Sequence, residues 1–229
     1  MHNRLKAIAL ALLVAGCSGG SKATVSLTAR TAPVGQALTV AGGVTLTRVR
    51  IVIQKIDLER ALIEDGGSQG DEQHADEQHG DEQELAVGPF LIDLQGAQLD
   101  NGINKVFTVT TDPGVYKEIT FKIHKLEAAE AGSDPALAQM TGFSIRIEGT
   151  RNGTPFTFNS SLDEEQEREG NFTLHAGENN IAFKIDPSGW FMNGATPLDP
   201  SDPLARSQIE SNIKASIDAF EDDGNQGHR

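Results

Sequence analysis

The sequence predicts an all-β fold: a β-sandwich of eight or nine mostly antiparallel strands with one C-terminal amphipathic helix. Three observations point there. Runs of β-branched and aromatic residues recur from Thr24 onward, with Gly, Pro, Asn and Asp between them. Several runs alternate apolar and polar with a period of two. One late segment instead repeats its isoleucines at helical spacing. Strands with one apolar face must cover it, and a second sheet does so; a partly closed barrel is the alternative.

Thr24 to Thr28 alternates and opens the strand series. Val44 to Leu58 is long and β-branched, and its apolar phase changes twice: Val44 and Leu46, then Val49, Ile51 and Ile53, then Ile56 and Leu58. Each change turns the buried face over, which predicts a bulge or a corner. A helix through Val49, Ile53 and Ile56 is the competing reading, disfavoured by β-branched crowding. Phe90 to Leu94 and Lys105 to Thr110 read as short strands. Asp112-Pro113-Gly114 is turn chemistry. It leads into Val115 to Lys125, with Val115, Ile119, Phe121 and Ile123 expected inward and Tyr116, Glu118, Thr120, Lys122 and His124 outward.

Phe143 to Phe158 reads as a hairpin. Asn152-Gly153 suits a two-residue turn with positive φ at both positions, which pairs Arg151 with Thr154. Gly149 then faces Phe156 and Ile147 faces Phe158, so an aromatic ring covers the backbone that the glycine leaves bare. Phe172 with Leu174, and Ile181, Phe183 and Ile185, supply two more strands. The helix is expected over Pro203 to Phe220. Ser201 or Asp202 can cap it, Pro203 fits its first turn, and Ile209, Ile213, Ile217 and Phe220 share a face that packs on the domain's own core.

The organisation follows. Residues 1–16 read as a signal peptide: Arg4 and Lys6 form a cationic start, and Ala7 to Val14 is apolar but shorter than the roughly 20 residues that span a bilayer. The string Leu13-Val14-Ala15-Gly16-Cys17 resembles a bacterial lipobox, which implies cleavage before Cys17 and a diacylglycerol on its sulfur. Ser18 follows the cysteine, and the absence of aspartate there favours the outer membrane over the inner one in the same resemblance. Residues 17–23 form a lipidated, Gly/Ser-rich tether. Residues 24–200 form the sandwich, with a disordered acidic insert at 65–85; residues 201–221 carry the helix and 222–229 a frayed tail.

Charge and cysteine usage narrow the function. The net charge is −14, and it becomes −16 once the leader takes Arg4 and Lys6 away. Such a chain is a poor match for nucleic acid, which needs phosphate neutralisation. Cys17 is the sole cysteine, so a mature body without disulfides must be held by its core alone, and lipidation leaves no thiol for catalysis. The membrane enters as a partner through the lipid anchor, and a glycan or an envelope protein is the candidate ligand.

The chemistry-bearing segments are few. A degenerate five-residue repeat spans Asp71 to Glu84, and His74 and His79 with Glu72 and Glu77 are its candidate ligands for a divalent metal. Five residues correspond to about 140° round a helix, and to opposite faces of a strand, so a preformed site is not expected. Nearly free of apolar residues, the segment reads as an expanded loop. Asp163 to Glu169 is a second acidic run, read as a charged loop between strands, with calcium as its functional alternative. Trp190 and Phe191 are either a flat platform for a sugar ring or core anchors. No H-E-x-x-H, Walker or G-x-G-x-x-G motif occurs, and the G-x-S-x-G match at Gly16 to Gly20 straddles the cleavage site.

Four stretches carry a family resemblance: Leu46 to Leu58, Gly88 to Leu94, Pro113 to Phe121 and Gly142 to Gly149. Together they resemble a group of bacterial surface lipoproteins carrying a β-sandwich domain of unknown function. The resemblance implies a sandwich in the cell envelope and transfers no catalytic residue. The leader, the strand pattern and the absence of catalytic motifs favour a non-catalytic binding or structural module, with an envelope hydrolase using loop carboxylates as the alternative.

Overall fold

The structure is a computed structural model, and it describes residues 21–31, 39–61, 82–96, 98–101 and 103–221. Two sheets pack face to face. The first runs β13 (Ile217–Glu221), β10 (Gly177–Ile185), β1 (Ala23–Thr31), β5 (Asn104–Thr111). The second is built on β3 (Val44–Arg60). One edge of β3 pairs with β4 (Glu82–Gln95); the other pairs first with β7 (Ile145–Arg151) and then with β6 (Gly114–Ile123). Outside these lie β8 (Thr154–Ser160) on β7 and β9 (Glu164–Leu174) on β6, while β2 (Thr39–Val40) pairs with the start of β3. β11 (Met192–Asn193) and β12 (Thr196–Pro197) form a small separate ribbon. All pairs are antiparallel except β1 with β10. The helices are α1 (Gln98–Asn101), α2 (Pro135–Ala138) and α3 (Arg206–Ala215).

The inner faces interdigitate as the apolar pattern requires. Val25 and Leu27 of β1 and Ile181, Phe183 and Ile185 of β10 meet Val49, Ile51, Ile56, Leu58, Ile119 and Phe121 in one core. Phe121 and Phe183 touch edge to face across the two sheets, with ring centroids 4.8 Å apart. The chain changes sheet between β1 and β2, between β4 and β5, at Asp112-Pro113 between β5 and β6, and between β9 and β10. At the last crossing Asn179 copies a backbone: its Oδ1 accepts from His175 N and its Nδ2 donates to His175 O, both at 2.8 Å.

β3 explains its own phase changes. The β7 pairing shifts register between Leu46 and Arg48, and the β6 pairing shifts between Ile53 and Ile56. β6 and β7 meet end to end beside Val52, whose N–H donates to Ser144 O while its carbonyl accepts from His124 N. The residues between the two strands loop over the outer face. Leu126, Ala131, Leu137 and Met140 cover Val52 there as a second small core, so mid-β3 is apolar on both faces.

The hairpin at Asn152-Gly153 has the expected register, with Arg151 opposite Thr154, Gly149 opposite Phe156 and Ile147 opposite Phe158. Both turn residues have positive φ, 50° and 83°. Gly149 meets a further demand: a Cβ there would collide with the Thr45 carbonyl oxygen, which the register shift in β3 brings close.

Several expectations are corrected. Val115 is exposed and Tyr116 is wholly buried, because the pairing with β9 shifts between Tyr116 and Glu118. The Tyr116 hydroxyl donates to Asp112 O at 2.7 Å. The acidic run from Glu164 onward is not a loop but the first half of β9, where pairing with β6 overrides weak β-propensity. The acidic insert ends sooner than residue 85, since β4 begins at Glu82, opposite Glu59. The C-terminal helix is shorter than Pro203 to Phe220. A 3₁₀ turn at Pro203–Ala205, capped by Asp202, leads into α3, which stops at Ala215; Ile217 onward is strand, so the C-terminal segment rejoins the sandwich. The described residues form thirteen strands, including three of only two residues.

Candidate binding cleft

Three segments distant in the chain build a cleft of about 580 Å³. Mid-β9 contributes Arg168. The end of β10 and the following 3₁₀ turn contribute Lys184, Asp186, Ser188, Gly189 and Trp190. α3 and the start of β13 contribute Asn212, Ala215, Ser216, Ile217 and Asp218. Its size suits a small ligand.

The walls are fixed by side chains whose hydrogen-bonding capacity is spent. Arg168 reaches the C-terminal end of α3, where carbonyls lack helical partners. Its Nε and Nη2 donate to Ile217 O at 2.9 and 2.7 Å, and Nη2 also reaches Lys214 O at 3.2 Å. Trp190 Nε1 donates to Ser216 Oγ, which donates to Ile213 O, each at 2.6 Å. Asn212 Nδ2 gathers the carbonyls of Gly189, Trp190 and Met192 at 2.7–3.1 Å, and its Oδ1 accepts from Gln208.

The remaining lining groups keep capacity. Lys184 lies between Arg30 on β1 and Asp218 on β13 in one row across the sheet. Among the described residues its ammonium forms no hydrogen bond or ion pair, although the chain holds far more acids than bases. Asp186 Oδ1 accepts from Ser188 N at 3.0 Å, and Asp218 Oδ1 accepts from Ala219 N at 2.9 Å. The second oxygen of each carboxylate and the Ser188 hydroxyl are not used in these bonds.

A second polar node lies on the outer face of the β3 sheet. The strand's alternation predicts His124 in solvent, but the loop that follows it buries it. Its Nε2 is 2.7 Å from Glu130 Oε2, and its Nδ1 is 3.2 Å from Asp163 Oδ2, without the alignment of a full hydrogen bond. Gln54 donates to Glu130 at 3.1 Å and Lys122 pairs with Asp163 at 2.8 Å. The Glu127 N–H, and then His124, hold the Glu130 carboxyl below its ordinary range. Burial opposes ionisation of Asp163, yet Lys122 and His124 together hold it low as well. The node holds the loop against β6 and the β8–β9 connection at Asp163; no nucleophile is placed on it by these contacts.

The residues singled out in the sequence lie elsewhere. Cys17 and the repeat residues Glu72, His74, Glu77 and His79 are outside the described residues. Trp190 and Phe191 are wholly buried, with Phe191 edge-on to Phe156 and Phe158, so they are core anchors and not a ligand platform. Among the described residues, no group of three or more His, Cys, Asp or Glu side chains is placed to hold a metal ion. None of their helices is long and apolar enough to cross a membrane.

The cleft lies at one end of the sandwich and Lys22 and Ala23, at the start of β1, lie at the other. Ala23 pairs with Gly177 and Thr111, whereas Thr31, eight residues on, pairs with Ile185 beside the cleft. Lys22 is pinned to Asp112 at 2.5 Å, at the end away from the cleft. Arg60 and Ala61, where β3 runs out toward the acidic repeat, are at that same end, opposite Tyr116 and Val115.

No protein-family model matches the chain, and no curated protein matches it. Among solved structures it is similar to MbnP from Methylosinus trichosporium, with 11% sequence identity and a TM-score of 0.43 over 87% of this chain and 98% of that chain. A likeness of that order carries nothing about function.

Proposed function

We propose that the protein is a lipid-anchored component of the bacterial cell envelope, in the outer membrane, acting as a non-catalytic binding module. Cys17 is its lipid site and the cleft beside α3 its binding surface. One observation supports this above the others: the cleft opens at the end of the sandwich opposite Lys22, so a tether at Cys17 would present it outward. The Lys184 ammonium and the second carboxylate oxygens of Asp186 and Asp218 offer a ligand partners of both signs, among walls held by the protein's own hydrogen bonds.

The rival reading is a hydrolase using carboxylates, and Asp186 and Asp218 do line one cleft. Such a pair needs one acid kept protonated by an apolar setting. Asp218 is exposed, Asp186 is half-exposed, and Lys184 and Arg168 add positive charge beside them. That environment favours binding. Metal capture by His74, His79, Glu72 and Glu77 is a separate proposal, read by metal titration of the full chain.

Mass spectrometry of the membrane-extracted protein tests the anchor. A first residue Cys17 carrying diacylglycerol is expected; an uncut leader or an unmodified thiol overturns it. A glycan array and an envelope-extract pull-down, each repeated with Ser188→Trp to fill the cleft, test the binding module. Retention that the cleft-filling variant abolishes supports it, and retention that survives removes the cleft.

A further inference from the structure

We infer that the cleft binds a small zwitterion, an amino acid or short peptide whose ammonium and carboxylate both enter. This rests on the binding-module reading. Arg168, Asn212, Ser216 and the Trp190 indole are committed to the protein's own main chain or to one another. What faces the cleft with capacity left is the Lys184 ammonium, one oxygen each of Asp186 and Asp218, and the Ser188 hydroxyl.

Each simpler ligand leaves part of this set unmatched. A plain anion answers Lys184 but meets two carboxylates. A plain cation answers the carboxylates but meets Lys184, with Arg30 and Arg168 near it. A neutral sugar commonly needs an aromatic face, and the tryptophan of this cleft is wholly buried. A ligand carrying both charges answers both signs, because the row Lys184–Asp218 separates them across neighbouring strands. Its carboxylate would sit on Lys184, and its ammonium on Asp218 and Asp186, with Ser188 free to take a peptide carbonyl. Charge-assisted hydrogen bonds at both ends set the selectivity.

The test is calorimetric titration of the full chain in mild detergent with alanine, Ala-Ala, acetate, ethylamine, glucose and the blocked neutral N-acetyl-alaninamide. Alanine or Ala-Ala should bind saturably, and at least about tenfold more tightly than acetate, ethylamine or the blocked compound, as expected when two charge-assisted contacts are made at once. Lys184→Gln and Asp218→Asn should each weaken that binding about tenfold or more with an unchanged circular dichroism spectrum. Glucose binding without zwitterion binding overturns the inference and leaves the binding module standing. Equal binding of the blocked compound, or no saturable heat from alanine and Ala-Ala, overturns it too. The array and extract experiments above judge the broader reading independently.

Discussion

At the residue scale, stability turns on polar groups that the fold has enclosed. Arg50 points outward from β3, yet the loop after β6 leaves it 1% exposed. It pairs with Glu148 at 2.5 Å and donates to Gln139 at 3.0 Å. Burial lowers its pKa, but a guanidinium stays charged at any working pH. Glu148→Gln therefore leaves an enclosed cation without its counter-charge. The cost should be about 2–3 kcal/mol, toward the low end for a buried pair because Glu148 itself is partly exposed. Urea unfolding of the full chain checks it; a loss below about 0.5 kcal/mol, the scale of surface pairs, would mean that Arg50 does not depend on Glu148. The His124 node gives a pH signature. Glu130 and Asp163 have folded pKa values below their ordinary ones. Their stabilisation is complete above the ordinary carboxylate range near pH ~4 and is lost as pH falls through the lower folded values. Glu130→Gln should lower Tm by about 2–4 °C at pH 7, and the gap should close under strong acid. A gap independent of pH would refute the charge argument. None of this was legible in the sequence. His124 obeys the outward phase of its strand, and only the covering loop buries it.

At the element scale, the sequence was most informative where a local rule sets geometry. Asn152-Gly153 admits one tight turn, so the β7–β8 register followed from two residues. The phase changes in Val44 to Leu58 marked the register shifts, because a change of buried face needs a bulge. The misread elements are those decided by distant partners. β9 is strand despite its acids because β6 offers a ladder. The end of α3 was hidden because Ile213 and Ile217 are four apart, as helix demands, while Ile217 and Ala219 are both buried at strand spacing. The stop comes at Ser216, whose hydroxyl holds Trp190, and at Arg168, which takes the last carbonyls. Gly149 is where these scales meet. Gly149→Ala puts a methyl against the Thr45 carbonyl, and β3 and β7 must part. The expected loss is about 1–3 kcal/mol by the usual scale of overpacking. Gly189→Ala, with open space around its Cβ position and no positive φ, controls for backbone entropy. Equal losses at both sites in denaturant unfolding would show that close approach is not what position 149 requires.

At the scale of the whole molecule, the fold decides what the proposed anchor at Cys17 would present. The cleft is not legible in the sequence, since its parts lie near residues 168, 184–190 and 212–218 and carry no motif. β1 sets the geometry. Its nine residues span about 26 Å from Ala23 to Thr31, and the cleft lies at the far end, beginning level with Arg30. The stretch from Cys17 to Lys22 reaches at most about 18 Å, so a lipid on Cys17 would keep Asp112 and Gly177 near the headgroups and the cleft away from them. The excess of acids also opposes a body lying flat on an anionic surface. The expected orientation is measurable. With Cys17 acylated, Glu178→Cys and Ser188→Cys each provide a single thiol for a dye at the tether end or at the cleft, and both positions are exposed. In vesicles with nitroxide-labelled headgroups, fluorescence at position 178 should be strongly quenched and at 188 hardly at all. Added salt shortens electrostatic reach and should narrow the difference only modestly, because the tether length sets most of it. Equal quenching at the two positions would mean that the domain tumbles or lies down, and the outward-facing cleft would have to be given up.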